Sequence, residues 1–218
     1  VEGANPNGYG LHVLSASLTN PGGYDEGMRS AVNFAARMNR VFVAAKGNAN
    51  TDAYNFPSDY DASWVISVGA TNQSGGRAQY PDWGWPPGFG SNYGNGIDVV
   101  APGTQVLSTM PIYQTPDMIG RQKQANYDYL SGTSMATPFV SGLASLILSQ
   151  NSTLHPEDVQ GIIRSSADDK GAPGYDDVYG AGRINAGRAL QYMQSPWTLN
   201  HYTASGGTSV GNTSYQVI

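Results

Sequence analysis

The stretch Ser131-Gly132-Thr133-Ser134-Met135-Ala136-Thr137-Pro138 constrains this chain more than any other. Behind it, apolar residues recur at Phe139, Val140, Leu143, Ala144, Ile147 and Leu148, the three-and-four spacing of one buried helical face. Gly142, Ala144 and Ser145 keep that helix narrow enough to pack inside a core. Ser134 therefore stands where a loop enters a buried helix. Its backbone N–H belongs to a first turn, whose amides lack intrahelical partners and whose dipole is positive. Such a place can meet charge developing on a carbonyl oxygen, which is what a nucleophilic serine requires. Pro138 has no N–H, so it is expected in the first turn and marks the helix start.

The rest of the chain reads as α/β. Residues 11–18 form an apolar strand, broken by the turn formers of 19–23. A helix is predicted over about 25–39, with Met28, Val32, Ala35 and Met38 on one face and Asp25 and Glu26 favourably placed at its start. Val41-Phe42-Val43-Ala44-Ala45 is a continuous apolar run, suited to a strand buried on both faces. Strand, helix and buried strand make a crossover unit, so the two strands should be parallel. Further strands are expected at 65–70 and 97–101, and further helices over about 156–167 and 184–193.

Composition narrows the function classes. A chain of 218 residues has room for one sizeable core, and 28 glycines with 13 prolines indicate many loops. A net charge of −5 without basic runs argues against nucleic acid and anionic membranes as partners, and no apolar run approaches a membrane span. The absence of cysteine excludes disulfides and thiol chemistry. Three Asn-x-Ser/Thr sequences, at Asn72, Asn151 and Asn212, read as ordinary polar loops. The start, Val1-Glu2-Gly3-Ala4-Asn5-Pro6, has neither the basic nor the apolar region of a signal peptide and no initiator Met, so the chain is expected to begin inside a longer protein.

The segment 131–138 resembles the nucleophile motif of the subtilisin-like serine proteases, and other stretches resemble the same family in the same order across about 10–193. By this resemblance Ser134 is the nucleophile. Ala44-Ala45-Lys46-Gly47-Asn48 is similar to the segment ending in the oxyanion-hole asparagine, so Asn48 would donate its side-chain N–H beside the backbone N–H of Ser134. Ser17, Leu18 and Thr19 resemble the segment that pairs with substrate backbone as an added strand, although Thr19 stands where the family usually has Gly. Ala44, Ala45 and Gly47 would line the main specificity pocket, with Asn55-Phe56-Pro57 near its floor. Ser91-Asn92-Tyr93-Gly94 and 98–103 also match. Two insertions, 80–90 and 110–127, depart from the pattern. They could rim the cleft, and inert surface loops are the preferred expectation.

The resemblance implies a three-layer αβα sandwich around a mainly parallel sheet, of which only about four strands are expected here. It also implies an Asp in an Asp-Thr/Ser-Gly motif and a His in a His-Gly-Thr/Ser motif, and neither motif occurs. A serine hydroxyl needs a general base, and the base needs a carboxylate to orient it. His12, His155 and His201 do not match: His12 reads as a packed or rim residue, His155 as a surface residue at a helix start, and His201 lies in a polar tail. The N-terminal strands and the catalytic His and Asp modules are thus absent. The chain is expected to be the C-terminal portion of a serine endopeptidase domain (1–194), inactive alone, followed over 195–218 by a polar linker or the start of a β module. Its expected partners are a polypeptide substrate and an N-terminal segment or chain supplying the Asp and His, which would also cover the open edge of the strand at 11–18. Secretion is expected from the resemblance.

Two rival readings stay open. One is an α/β-hydrolase esterase using Ser134, an Asp such as Asp168 or Asp176, and His201; against it, 122–129 is too polar to be the buried strand that such an elbow needs. The other is a non-catalytic binding module that keeps the cleft without the base. The chemistry requires no cofactor. The family often binds structural calcium, and Asp168, Asp169, Asp176 and Asp177 cluster in a Gly-rich loop. They lack the spacing of a calcium loop, so a solvated acidic turn is the expectation.

Overall fold

A strand buried on both faces must be apolar at odd and even positions alike, and three runs of this sequence meet that condition. In the computed structural model, which describes residues 10–21, 23–60, 64–84, 86–94, 96–194, 198–200 and 214–216, those runs form the centre of the fold. In chain order the elements are β1 (Val13–Ala16), β2 (Asn20–Pro21), α1 (Glu26–Arg37), β3 (Val41–Ala45), β4 (Asn55–Phe56), β5 (Val65–Thr71), β6 (Val99–Pro102) and β7 (Val106–Thr109). Then come α2 (Pro116–Gly120), β8 (Tyr127–Leu130), α3 (Thr133–Gln150), α4 (Pro156–Ser165), α5 (Ala186–Gln194), β9 (Thr198–Asn200) and β10 (Ser214–Gln216).

The main sheet has four parallel strands in the order β1-β3-β5-β6. Alternation along its strands divides the core in two. Val41, Val43, Ile66, Val68, Val99 and Ala101 face one cluster with Val140, Leu143 and Ile147 of α3 and Val159, Ile162 and Ile163 of α4. On the opposite face, Ala44 and Val65 join Val32 of α1, Phe56 and Tyr60. Helices thus cover both faces of the sheet, as a three-layer sandwich requires. α1 begins one residue inside the predicted span because Asp25 is its cap, accepting the Met28 N–H at 2.7 Å.

One expectation fails at α3. The helix starts at Thr133, and Pro138 lies inside it rather than in its first turn. The missing N–H of Pro138 is the one that would have bonded the Ser134 carbonyl. Ser17 Oγ donates to that carbonyl instead, at 2.8 Å. The proline is tolerated because another segment supplies the donor.

The two ends of the sheet differ. Beyond β6 the 181–184 segment adds backbone hydrogen bonds: Ala181 N to Asp98 O, Val100 N to Gly182 O, and Ile184 N to Val100 O, at 2.8–3.0 Å. Gly180 permits this approach, since a Cβ there would stand 2.3 Å from the Asp98 carbonyl oxygen. Nothing among the described residues covers the outer edge of β1. On α3 the residues Pro138, Phe139, Gly142, Ser145, Leu146 and Ser149 are exposed, with Phe139 at 46% and Leu146 at 48%.

The described residues of the first insertion do not form an inert surface loop. Trp83, within 80–90, is fully buried in the larger core cluster, and Gly90 returns to bond Asn48 O and Asn50 N through its backbone. The second insertion carries α2 and connects β7 to β8 as an antiparallel hairpin. Within 122–129, the stretch read as too polar for a buried strand, Tyr127 opens β8, a strand because β7 pairs with it, and its side chains are half-exposed to exposed. Near the C-terminus β9 and β10 pair antiparallel. His201 and Asn212 lie outside the described residues.

Candidate active site

The first amide of a helix has no partner within it. In α3 that amide is Thr133 N–H, and it donates to Asn48 Oδ1 at 2.9 Å. Thr133 Oγ1 donates to the same oxygen at 2.8 Å and accepts the Gly47 N–H at 3.1 Å. Asn48 follows directly from β3, so the end of a central strand is clamped to the start of the core helix. With its oxygen held twice, the Asn48 amide presents Nδ2 to the opposite side, and Nδ2 has no hydrogen-bond partner among the described residues. Ser134 N–H has none there either. Both donors border one small space: a Cβ placed on Gly132 would lie 3.6 Å from Asn48 Nδ2 and 3.6 Å from Ser134 N.

Ser134 Oγ donates to the Ser17 carbonyl at 3.3 Å, the reciprocal of the bond from Ser17 Oγ to Ser134 O. No described histidine hydrogen-bonds Ser134. His12 is exposed just before β1, and His155 is exposed at the start of α4, its N–H donating to Asp158 at 2.9 Å. β8, which leads into Ser134, lies outside the parallel sheet, so the serine does not cap a buried parallel strand as an esterase elbow requires.

Ser134, Asn48, Gly47 and Ser17 thus come together. Leu18 and Thr19 are exposed just past β1. A cavity of about 360 Å³ lies between Pro21 and the 49–56 segment, with Asn55, Phe56 and Asn92 on its walls and no charged lining residue. Ala44 and Ala45 are fully buried in β3 and are not among its lining residues. Gly47 has φ +110°, and a Cβ there would meet the amides of Asn55 and Asn92 at 2.4 Å, so only glycine fits between strand end and cavity wall. Sequence reasoning missed Thr133 as the clamp of Asn48, although it stands inside the nucleophile motif. Asn92, named in the sequence only as part of a matching stretch, also holds this wall, its Oδ1 accepting the Ala49 N–H at 2.8 Å.

The acidic cluster is dispersed. Asp168 accepts from Asn185 at 2.9 Å and pairs with Arg188 at 3.0 Å and Arg183 at 3.4 Å; the Asn185 bond, then these arginines, hold its carboxyl below the usual range. Asp176 caps its own loop by accepting the N–H groups of Ala172, Val178 and Tyr179. Among the described residues no three His, Asp or Glu side chains group to hold an ion.

Comparison with known proteins agrees with this geometry. The model of the subtilase family matches residues 4–182. Thermitase from Thermoactinomyces vulgaris is 36% identical over 183 residues, 84% of this chain and 55% of that protein. Subtilisin BL from Lederbergia lenta is 33% identical over 84% of this chain and 57% of its own length. The chain therefore spans a little over half the length of these relatives. Among solved structures, a lanthipeptide protease superimposes with a TM-score of 0.67 at 26% identity, covering 84% of this chain and 61% of that one. The fold is shared with the psychrophilic subtilisin-like protease Apa1 from Pseudoalteromonas sp. AS-11, at a TM-score of 0.70, 19% identity, and coverage of 85% and 71%. A family match over most of the chain and a parallel sheet whose β3 end is clamped to the helix of Ser134 lead to one conclusion: the chain belongs to the subtilase family.

Proposed function

We propose that this chain carries the nucleophile and the oxyanion site of a serine endopeptidase, and that the general base and its orienting acid come from a segment or chain outside these residues. Ser134 Oγ attacks the scissile carbonyl carbon of a polypeptide and passes its proton to the imidazole so supplied. The carbonyl oxygen gains negative charge as the tetrahedral intermediate forms, and Asn48 Nδ2–H and Ser134 N–H donate to it. The observation that carries this reading is that Asn48 Nδ2 and Ser134 N, both without a partner among the described residues, lie 3.6 Å from one point beside Gly132. Donors held in place beforehand cost no reorganisation when the charge appears. Ser17, Leu18 and Thr19 receive the substrate backbone, and the side chain before the scissile bond enters the cavity walled by Asn55. The likeness to subtilisins supports action outside the cell, with calcium, where bound, in a structural role only.

Without a base the hydroxyl stays on the Ser17 carbonyl. Subtilisin itself loses roughly a millionfold in turnover when its serine or histidine is removed, and the isolated chain is expected to show that order of deficit. The test is labelling by a fluorophosphonate probe with and without an added segment or chain that carries a subtilase Asp and His. Labelling of Ser134 only in the presence of that segment supports the reading. Labelling of the isolated chain at full rate refutes it, and no labelling in either state leaves a non-catalytic cleft as the function.

A further inference from the structure

Lys46 stands two residues before Asn48, where its main chain still belongs to the strand end and its side chain turns into the protein. Its side chain is 1% exposed and forms an ion pair with Asp59, whose side chain is 3% exposed. A pair so deeply buried gains little net stability over well-packed apolar side chains, because desolvation offsets its attraction. Its directional bonds point to another role. The second oxygen of Asp59 accepts the backbone N–H of Asn55 at 2.6 Å. The Lys46 carbonyl accepts Asn55 Nδ2 at 2.6 Å and Asn92 Nδ2 at 3.1 Å. Main chain and side chain of Lys46 are therefore both tied to the cavity wall, Asp59 touches both partners, and Gly47 links this knot to Asn48.

We infer that the Lys46–Asp59 pair is a positioning device, holding the Asn48 donor and the cavity wall at Asn55 in one register. A peptide whose side chain is seated against that wall then presents its carbonyl oxygen to Asn48 at bonding distance. The inference rests on the serine endopeptidase reading above. It adds two positioning residues that touch neither substrate nor reacting atoms.

The test uses Lys46→Met with Asp59→Asn, which removes both charges and keeps an acceptor for the Asn55 N–H. In the enzyme assembled with its base-supplying segment, kcat is expected to fall roughly tenfold or more with a smaller change in KM, as for other small misplacements of reacting groups. Discrimination between peptide substrates that differ only in the side chain before the scissile bond should narrow in parallel. In the isolated chain, the Asn48 side-chain amide resonances should shift in the NMR spectrum, and so should the Thr133 backbone N–H that Asn48 Oδ1 accepts. Should this variant not fold, Lys46→Gln with Asp59→Asn, a neutral hydrogen-bonded pair, carries the same readouts. An unmoved Asn48 amide, or a kcat loss no larger than the loss of folded protein, overturns the inference. Hydrolysis that survives Ser134→Ala refutes the endopeptidase reading instead, and the amide spectrum still decides what the pair does.

Discussion

At the scale of single residues, the candidate site is held by groups that helix and strand leave over. Thr133 N–H is the surplus donor of a helix start, and Asn48 takes it. The Ser134 carbonyl is the acceptor orphaned by Pro138, and Ser17 supplies it. Two predictions follow from these pairings. Asn48→Ala in the assembled enzyme should lower kcat by roughly 10²–10³-fold with little change in KM, a magnitude known from the same kind of donor in subtilisin; steady-state kinetics on a chromogenic peptide checks it. Ser17→Ala should destabilise the chain by about 1 kcal/mol, the usual net worth of one hydrogen bond. That cost should shrink when Pro138→Ala returns an N–H to the helix, and a urea-unfolding double-mutant cycle reads the coupling. An equal cost in both backgrounds would show that Ser17 does not compensate for the proline.

At the scale of elements, the parallel sheet was legible because β3 and β5 are apolar at every second position on both sides, a pattern that few alternatives can bury. α1 and α4 were legible from Asp25 and Pro156 at their starts. What escaped was non-local. Pro138 reads as a helix start only if the Ser134 carbonyl must find its donor within the helix, and Ser17, 117 positions away, breaks that assumption. The 127–130 segment is a strand through pairing with β7, which its own sequence does not reveal. Trp83 sits among prolines and glycines in a stretch that reads as surface, yet it is fully buried in the larger core cluster. Ser134, Asn48 and Gly47 were readable from motif and order, whereas the Thr133 clamp and the Lys46–Asp59 knot depend on distance in space. Trp83→Ala is accordingly expected to cost about 3–5 kcal/mol, the range for emptying a buried aromatic site, and Trp83→Phe clearly less. Urea unfolding measures both; values within error of zero would return the 80–90 loop to the surface.

At the scale of the whole molecule, one carboxyl joins sheet to helix. Asp98 accepts Ser67 N–H at 2.8 Å and Gln160 Nε2–H at 3.0 Å and lies 3.4 Å from Arg164. Burial outweighs these partners and pushes its pKa up to about 6. The folded state then binds a proton that the unfolded chain, with an ordinary Asp near 4, has released. This contribution is fully present below about pH 4 and is lost as pH rises through about 6, a loss of about 3 kcal/mol. Urea titrations of the wild type and Asp98→Asn should show their stability difference moving against the wild type by that amount between pH 4 and 7. A difference independent of pH would mean that Asp98 ionises normally.

The unequal ends of the sheet have a further consequence. The β6 side is closed by 181–184, so the sheet can grow only at β1. The residue that follows β1 is Ser17, which already touches Ser134 through its hydroxyl and its carbonyl. Any strand that completes the sheet must therefore arrive within a few residues of the nucleophile. A strand added there would lengthen the sheet and reach the surroundings of Ser134 in the same step.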